Sequence, residues 1–256
     1  MWRNTIKQDL LSGKPKVGTW IHTLAATPVP HILAAAGFDY VIIDMEHSAF
    51  SIGQVAELCS AALHAGITPI VRPPAKEPHL MSRCVDNGAL GIYAPHVDDA
   101  DAARRVVDAV KFPPLGSRGS QPPSVTTSYR SFNAGDYMPE ANAETMVIAQ
   151  IESAVGVANI DSILAVEGID GAVIGRGDLA ADLGLAGSRD HPDINAAVVA
   201  LVASAERHGK IPGLMVLQLE DGEFWQQRGV RMLTYASEML LMRRSGADAV
   251  ARLSPS

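Results

Sequence analysis

Three titratable residues follow directly on an apolar run in the stretch YVIIDMEHS, which spans residues 40–48. Asp44 and Glu46 are separated by one residue, Met45, and His47 comes next. Asp44, three residues before the histidine, is placed to orient the imidazole and fix its tautomer. A histidine held in this way is a general acid and base near neutral pH. The spacing therefore predicts a catalytic dyad of His47 and Asp44.

Histidine alone is a weak signal, because the chain has eight of them and a lone histidine is more often structural than catalytic. His22 and His96 also follow apolar runs, and they are kept as alternative candidates. The neighbouring carboxylates are what favour His47.

Two further carboxylates, Glu152 and Asp178, close successive apolar runs. Such a pair is suited to one hard cation, since Mg²⁺ and Mn²⁺ accept one or two protein carboxylates and complete their shell with water and substrate oxygens. In the alternative interpretation each carboxylate caps the helix that follows it. The spacing leaves both interpretations open.

Arg72 ends the run TPIVR and is followed by Pro73 and Pro74. A guanidinium at a strand end binds a carboxylate or a developing enolate oxygen. The alternative is a structural ion pair with Asp44 or Glu46.

The sequence GRGDLAADLG, which begins at Gly175, has the composition of a turn that enters a helix. Backbone N–H groups around Gly177 are free to bind a small carboxylate beside Asp178. The alternative is a tight turn that requires glycine for backbone reasons alone.

These polar residues need elements that bring them together, and the rest of the chain supplies a repeating pattern. Short apolar runs alternate with segments whose apolar positions recur every three or four residues. The eight candidate strands are 17–21, 40–44, 68–72, 91–95, 146–152, 171–175, 212–216 and 231–236. Eight such units predict an α/β fold, a closed (β/α)₈ TIM barrel that forms one domain over residues 1–256. Barrels of this kind place their chemistry at the C-terminal strand ends, where the polar residues above lie.

The composition of the chain limits the kinds of molecule that it is expected to bind. The chain is 47% hydrophobic with a net charge of −7, and its basic residues form no block, which disfavours nucleic acid and anionic membranes and favours small molecules. Its two cysteines, the absence of a signal peptide and the lack of an apolar run long enough for a membrane span predict a cytoplasmic protein. None of the six lysines ends a strand, so Schiff-base chemistry is disfavoured and carbonyl chemistry would need a metal.

One long irregular stretch, residues 111–142, is rich in Pro, Gly and Ser. Loops of this length are usually functional or disordered, although the composition also suits a surface excursion.

The motifs resemble a known family. They are GTWI, AGFDYVIIDMEHS, PIVRPP, DNGALGIYAPHV, FPPLGSRG, QIESAVGVANIDSILAVEGIDGAVIGRGDLAADLG and HGKIPG. Together they resemble the HpcH/HpaI aldolases, the metal-dependent class II pyruvate aldolases, from about residue 5 to about residue 245. The resemblance implies reversible cleavage of 4-hydroxy-2-oxo acids to pyruvate, or a related 2-oxo acid such as hydroxypyruvate, and an aldehyde. A citryl- or malyl-thioester lyase and a non-catalytic barrel that binds oxo acids are the alternatives.

The resemblance also implies roles for particular residues. Glu152 and Asp178 would bind a divalent Mg²⁺, Mn²⁺ or Co²⁺ ion, Arg72 would hold the keto oxygen, and His47 with Asp44 would be the acid/base dyad supported by Glu46. The expected substrate-binding residues are Arg72, Gln150, Gly177, Asp178 and Met215. The assembly implied is a hexamer, a trimer of dimers whose partners exchange their last helix.

The chain departs from the family pattern at four positions. Arg176 stands where the family usually has proline, and Ala180 where it has serine. Ala236 and Glu238 replace the usual Gly-x-Asp. Arg176 either points into the substrate cavity, where it would favour substrates with an additional anionic or hydroxyl group, or outward to solvent or another subunit.

Overall fold

The computed structural model describes residues 2–254, and their eight strands form a closed, all-parallel barrel in chain order. The strands are β1 (Lys16–Ile21), β2 (Tyr40–Asp44), β3 (Thr68–Arg72), β4 (Gly91–Ala94), β5 (Met146–Ile151), β6 (Gly171–Ile174), β7 (Ile211–Val216) and β8 (Met232–Ser237). Each end lies within one residue of the prediction, so the predicted TIM barrel is confirmed.

Helices cover the outside of the barrel and link the strands. They are α1 (Thr5–Leu11), α2 (Pro28–Ala35), α3 (Ile52–Ala65), α4 (Pro78–Asp86), α5 (Ala100–Val110), α6 (Ala134–Glu144), α7 (Ala154–Ala158), α8 (Ile160–Leu164), α9 (Arg176–Asp182), α10 (Pro192–His208), α11 (Leu219–Gln226) and α12 (Glu238–Leu253). In the described part of the chain, residues 2–254, no helix has the length and apolar character required to cross a bilayer.

Alternation along each strand explains how polar residues come to lie inside the barrel. On β2, Val41 and Ile43 belong to the apolar layer between the barrel and the helices, whereas Tyr40 and Ile42 pack in the barrel interior. Because side chains alternate between the two faces of a strand, Asp44 is the next residue to point inward. The same period of two directs Arg72 and Gln150 inward at the C-terminal ends of β3 and β5.

One glycine makes the aromatic interior possible. A Cβ atom on Gly18 would lie 2.3 Å from Cε2 of Tyr40, so only glycine at this position leaves room for the tyrosine ring. The Tyr40 hydroxyl lies 2.9 Å from Oγ1 of Thr234 across the barrel.

The N-terminal end of the barrel is closed by α1. Ile6 and Leu10 pack against the interior side chains, and the Lys7 ammonium lies 3.0 Å from a carboxylate oxygen of Asp170. This end of the barrel is therefore sealed by both apolar packing and ion pairing.

The irregular stretch 111–142 is ordered at this same sealed end. It contains a single 3₁₀ turn, Val125–Thr127, and most of α6. The Lys111 ammonium donates to the carbonyl oxygens of Asn142, at 2.7 Å, and Thr145. Among the described residues that line the cavity at the other end, none comes from this stretch.

Candidate active site

A cavity of about 400 Å³ opens at the C-terminal ends of the strands. Its walls include His47, Arg72, Gln150, Gly177, Asp178 and Met215, all predicted from the sequence to act in the site. Residues that are far apart in the chain converge here because each lies near or just after the C-terminal end of a parallel strand of the same barrel.

Arg72 and Asp44 form a bidentate ion pair at the base of this cavity. The guanidinium Nε and Nη2 donate to the two oxygens of Asp44 at 2.8 and 2.9 Å, and the carboxylate is completely buried. Burial acts to raise the pKa of Asp44, but the Arg72 guanidinium outweighs it and holds that pKa below its ordinary value. The ion-pair interpretation of Arg72 is thus correct, and the pair fixes the guanidinium for a further contact.

The predicted contact between His47 and Asp44 is not formed. In the described structure Nε2 of His47 lies 3.7 Å from Oε2 of Glu46, and the imidazole is 63% exposed at the rim of the cavity. The dyad prediction is wrong in this respect, because Asp44 already has Arg72 as its partner. Glu46, predicted as a supporting residue, is the carboxylate beside His47.

His22, one of the alternative candidates, lies closer to Asp44 than His47 does. Its Nε2 is 3.4 Å from Oδ2 of Asp44, and its ring stacks on Trp20 with 5.2 Å between centroids. Burial is the largest influence on His22 and lowers its pKa, in spite of the nearby carboxylate. The position follows from the alternation in β1, since Trp20 points into the barrel and His22 lies two residues later.

The loop that carries His22 is held by the first residue of α12. The buried Glu238 carboxylate accepts the backbone N–H groups of His22, Thr23 and Leu24 at 3.0, 2.6 and 3.0 Å. The backbone reaches this helix through Ala236, whose φ of 53° lies in the left-handed region that favours glycine. Both residues, which the sequence comparison singled out as departures from the expected motif, shape the approach to this loop.

Glu152 is the most strongly perturbed carboxylate of the site. Its Oε1 accepts the backbone N–H of His96 at 2.8 Å, and its Oε2 accepts a hydrogen bond from Gln150. Burial raises the pKa of Glu152 to about 7, and the charges of Asp178 and Glu46 add to this rise against the opposing effect of His96. The protein therefore does not fully compensate the negative charge of the Glu152 carboxylate.

The space around Glu152 depends on a glycine. A Cβ atom on Gly175 would lie 2.7 Å from Oε2 of Glu152, so the side chain fits only because Gly175 has none. His96, the second alternative histidine, has Nδ1 2.9 Å from Glu152 and Nε2 3.1 Å from Glu46. The His96 imidazole therefore lies between the carboxylates of Glu152 and Glu46 and contacts both.

The donor set suits one hard cation. Glu152 and Asp178 are close enough for the charge of one to raise the pKa of the other, and a divalent cation between them would remove that repulsion. Within residues 2–254 no group of three or more His, Cys, Asp or Glu side chains is arranged as a complete metal site. A cation here would accordingly take its remaining ligands from water and substrate oxygens.

Arg176 lines the cavity, but its guanidinium is buried and paired within the protein. The side chain is 6% exposed, and its Nη1 lies 3.1 Å from Asp190 while Nη2 pairs with Asp221 and donates to the carbonyl of Met215 at 3.1 Å. The prediction of a solvated Arg176 is wrong, whereas its role in substrate choice and its contact with another subunit stay predictions. The guanidinium ties the start of α9 to β7 and to the segments before α10 and within α11. Its charge is compensated by these two aspartates.

The turn at Gly175–Asp178 keeps its backbone donors available. Gly175 precedes α9 and makes no side-chain cap, so the first N–H groups of the helix have no such partner. A Cβ on Gly177 would lie 3.1 Å from Nη2 of Arg189, a residue that the sequence interpretation missed. Trp20, over whose ring the Arg72 guanidinium lies at 4.4 Å, was missed as well, although its inward position two residues before His22 predicts it.

The chain belongs to the HpcH/HpaI aldolase/citrate lyase family, whose model matches residues 16–244. It is 34% identical over 249 residues to the 4-hydroxy-2-oxo-heptane-1,7-dioate aldolase of Salmonella dublin, a match that covers 97% of this chain and 94% of that one. These relationships make the protein a carbon–carbon lyase, as predicted, and set aside the non-catalytic alternative.

Solved structures of the same family are also similar to this chain. An HpcH/HpaI aldolase from Desulfitobacterium hafniense DCB-2 superimposes with a TM-score of 0.93 at 32% identity, covering 98% of both chains. The citrate synthase SbnG superimposes with a TM-score of 0.87 at 31% identity, covering 96% of both chains. Proteins of similar fold and similar identity to this chain therefore carry two different activity names.

Proposed function

We propose that this protein catalyses the reversible aldol cleavage of 4-hydroxy-2-oxo acids to pyruvate, or a related 2-oxo acid such as hydroxypyruvate, and an aldehyde. The observation that carries the proposal is the convergence of Arg72, Gln150 and Asp178 in one cavity at the C-terminal strand ends, with the Glu152 carboxylate hydrogen-bonded to Gln150 behind the cavity wall. Two carboxylates for a cation and a fixed guanidinium are the groups that an enolate-forming site requires.

We propose Glu152 and Asp178 as the ligands of a divalent Mg²⁺, Mn²⁺ or Co²⁺ ion. When bound, such an ion would polarise the carbonyl of the 2-oxo acid and lower the pKa of its C3 protons. The raised pKa of Glu152, about 7, and the proximity of Asp178 support the binding of a cation between the two carboxylates.

Arg72 holds the keto oxygen in this proposal. Its Nε and Nη2 are engaged by Asp44, whereas Nη1 faces Gln150 at 3.4 Å and Glu46 at 3.1 Å. A guanidinium fixed by a buried carboxylate needs no reorganisation to stabilise negative charge that develops on the oxygen. The backbone N–H groups of Gly177 and Asp178 bind the carboxylate of the oxo acid, and Met215 contacts its apolar part.

His47 moves the proton at the C4 hydroxyl. In cleavage it removes this proton, directly or through water, as the C3–C4 bond breaks, and in synthesis it returns the proton to the new alkoxide. Its partner is Glu46, 3.7 Å away, and not Asp44. Asp44 acts through Arg72, whose position it fixes.

A second candidate activity is cleavage of a citryl or malyl thioester or a related citrate-type condensation. The observation that favours it is the 31% identity with the citrate synthase SbnG over 96% of the chain. Pyruvate detection in a coupled assay separates the two, because only a 4-hydroxy-2-oxo acid releases pyruvate on cleavage. Pyruvate release with 4-hydroxy-2-oxo acids and no turnover of thioesters is the expected result.

We propose a homo-oligomer, a hexamer built as a trimer of dimers that exchange α12, located in the cytoplasm. Glu238 is the one buried residue of α12, and the remainder of the helix carries exposed apolar side chains. These are Met239, Met242, Val250 and Leu253. Beside them lies an apolar groove with Val29, Ile32 and Leu33 of α2, which a second copy of α12 would cover. Light scattering that gives six times the chain mass is the expected result.

A further inference from the structure

The two carboxylates that we propose as metal ligands are held in different ways. Glu152 is buried, its Oε1 accepts the backbone N–H of His96 at 2.8 Å, and its Oε2 accepts a hydrogen bond from Gln150. Asp178 is exposed in the cavity wall, and within residues 2–254 the structure gives its carboxylate no hydrogen bond and no ion pair. The position of Asp178 therefore depends on the backbone that carries it, the first turn of α9.

This first turn lies between two anchored parts of the chain. Before it, the N–H of Gly175 donates to the carbonyl oxygen of Ile151 at 2.8 Å and continues the ladder between β5 and β6. After it, Leu179 and Ala180 are buried in the apolar layer between the barrel and the helices. The span Arg176–Asp178 contains a glycine, whose backbone is the least restricted of any residue. Side-chain contacts of this span are therefore what limits its movement.

The Arg176 guanidinium supplies these contacts. Its Nη1 lies 3.2 Å from Oδ1 of Asp221 and its Nη2 pairs with the other oxygen, which makes the pair with α11 bidentate. Nη2 also donates to the carbonyl oxygen of Met215 in β7 at 3.1 Å, and Nη1 lies 3.1 Å from Asp190. The Asp221 side chain is 24% exposed and that of Asp190 is 83% exposed. Asp221 is the stronger partner, because water screens an exposed pair.

We infer that Arg176 is a positioning residue, which holds Asp178 ready for the metal ion through its bidentate pair with Asp221. The inference rests on the proposed function, which makes Asp178 a ligand, and adds the pair that orders this ligand. A carboxylate that is already ordered loses less conformational entropy when it binds a cation. Removal of a partner outside the ligand shell typically costs about 10- to 100-fold in metal affinity.

The test measures metal affinity directly and without any substrate. Metal-free protein is titrated with Mn²⁺, and electron paramagnetic resonance of the free ion gives the Kd. Arg176→Met removes the charge and the donors but keeps an unbranched apolar side chain, and it is expected to raise the Kd by about tenfold or more. Asp178→Asn, which replaces the proposed ligand itself, gives the largest effect that the loss of this carboxylate can have.

The partners of Arg176 allow the same pair to be broken from the other side. Asp221→Asn is expected to raise the Kd by about tenfold as well, and the double variant with Arg176→Met should lose little more, since both changes remove one interaction. Asp190→Asn is expected to change the Kd by less than about twofold, because this side chain is exposed. Arg176→Lys keeps the charge without the planar fork and should fall between wild type and Arg176→Met.

Lys7→Met is the control for a loss of stability without a loss of position. It removes another buried cation, whose ammonium lies 3.0 Å from Asp170 at the sealed end of the barrel. Urea unfolding is expected to show lower stability for this variant, while its Kd for Mn²⁺ stays that of the wild type. If Arg176→Met does not fold, Asp221→Asn decides the question.

The outcomes separate the inference from the function on which it rests. If Asp178→Asn weakens Mn²⁺ binding but Arg176→Met and Asp221→Asn bind as tightly as the wild type, the inference is overturned and the proposed function stands. An equal loss of affinity in Lys7→Met would also overturn it, because stability alone would then explain the effect. If the wild type does not bind Mn²⁺, or if Asp178→Asn binds it equally well, the proposed metal site fails and the inference fails with it.

Discussion

The two ends of the barrel both contain buried charge, but they use it differently. At the N-terminal end the Lys111 ammonium is 2% exposed, and burial lowers its pKa to about 8. At the C-terminal end burial raises the pKa of Glu152 to about 7. The two groups are perturbed by the same physical cause, the loss of water around a charge.

Lys111 and Glu152 differ in the partners that surround each buried group. Lys111 donates to the carbonyls of Asn142 and Thr145 under a layer of α1 and α6. Glu152 has another carboxylate, Asp178, beside an open cavity of about 400 Å³. A shifted pKa alone therefore does not identify a site. A shifted pKa together with uncompensated charge and accessible space does.

The largest effect is expected from a substitution at the C-terminal end of the barrel, the open end that carries the cavity. Glu152→Gln keeps the shape of the side chain and removes one of the two proposed metal ligands. Cleavage of 4-hydroxy-2-oxo acids is expected to fall by about 10³-fold or more, since a bound cation contributes several kcal/mol of charge stabilisation. The measurement is the coupled pyruvate assay, with urea unfolding to verify that stability is retained. Near-normal turnover would exclude Glu152 as a ligand.

The two histidines of the cavity allow a sharper test at the same end. His47→Ala is expected to lose about 10²-fold or more in cleavage, the usual effect of removing a general acid and base. Metal affinity and pyruvate binding should persist. His22→Ala is expected to lose less than about tenfold, because Asp44 beside it is already engaged by Arg72. A larger loss for His22→Ala would give the proton-transfer role to His22.

Lys111→Met is the matched substitution at the sealed end. It removes the side-chain donor of the Asn142 carbonyl and one of the two donors of the Thr145 carbonyl, the other being Lys7, and the free energy of unfolding is expected to fall by about 2 kcal/mol. The kinetic constants should not change at a temperature where the variant is folded. Urea unfolding and the pyruvate assay measure both. A loss of kcat in the folded variant would contradict the purely structural role that we assign to Lys111.

The same lysine also predicts a pH dependence of stability. Folded Lys111 loses its proton near pH 8, whereas the unfolded chain retains it up to about the ordinary value of 10.5. Between these values the unfolded state binds more protons, so stability rises with pH in this window. The wild type should therefore gain stability relative to Lys111→Met from pH 8 towards pH 10. A difference that is constant over this range would contradict the expected protonation.

The smallest expected effect concerns the backbone that leads into α12. Ala236 has a φ of 53°, which costs an alanine about 1 kcal/mol, and glycine would remove this cost while adding flexibility to the unfolded chain. Ala236→Gly is expected to raise the free energy of unfolding by about 0.5 kcal/mol. Ala236→Val, whose branched side chain disfavours this conformation further, should lower it. The urea midpoints of the two variants should move in opposite directions.

The sequence predicted the barrel well because its strands are continuous apolar runs that are separated by regular helices. It predicted the positions of Arg72, Glu152 and Asp178 because these residues follow strands. Pairing was harder to predict. Asp44 is three residues from His47 in the chain, but alternation points it inward towards Arg72, a residue of the neighbouring strand.

Loop residues were the least predictable part of the site. Arg176 comes directly after Gly175, the residue that follows β6, and its guanidinium pairs with Asp190 and Asp221. Arg189 lies in a segment without periodicity, and its approach to Gly177 depends on the tertiary path of that loop. Neither orientation follows from local spacing.

The main proposal is that the open end of the barrel binds a 2-oxo acid with a divalent cation and stabilises the enolate formed at its C3. Its most direct test is exchange of the pyruvate methyl protons in D₂O, followed by proton NMR without any aldehyde. We expect no exchange after chelation, recovery with Mg²⁺ or Mn²⁺, and no recovery in Glu152→Gln. Equal exchange rates in the metal-stripped, metal-restored and Glu152→Gln proteins would contradict it.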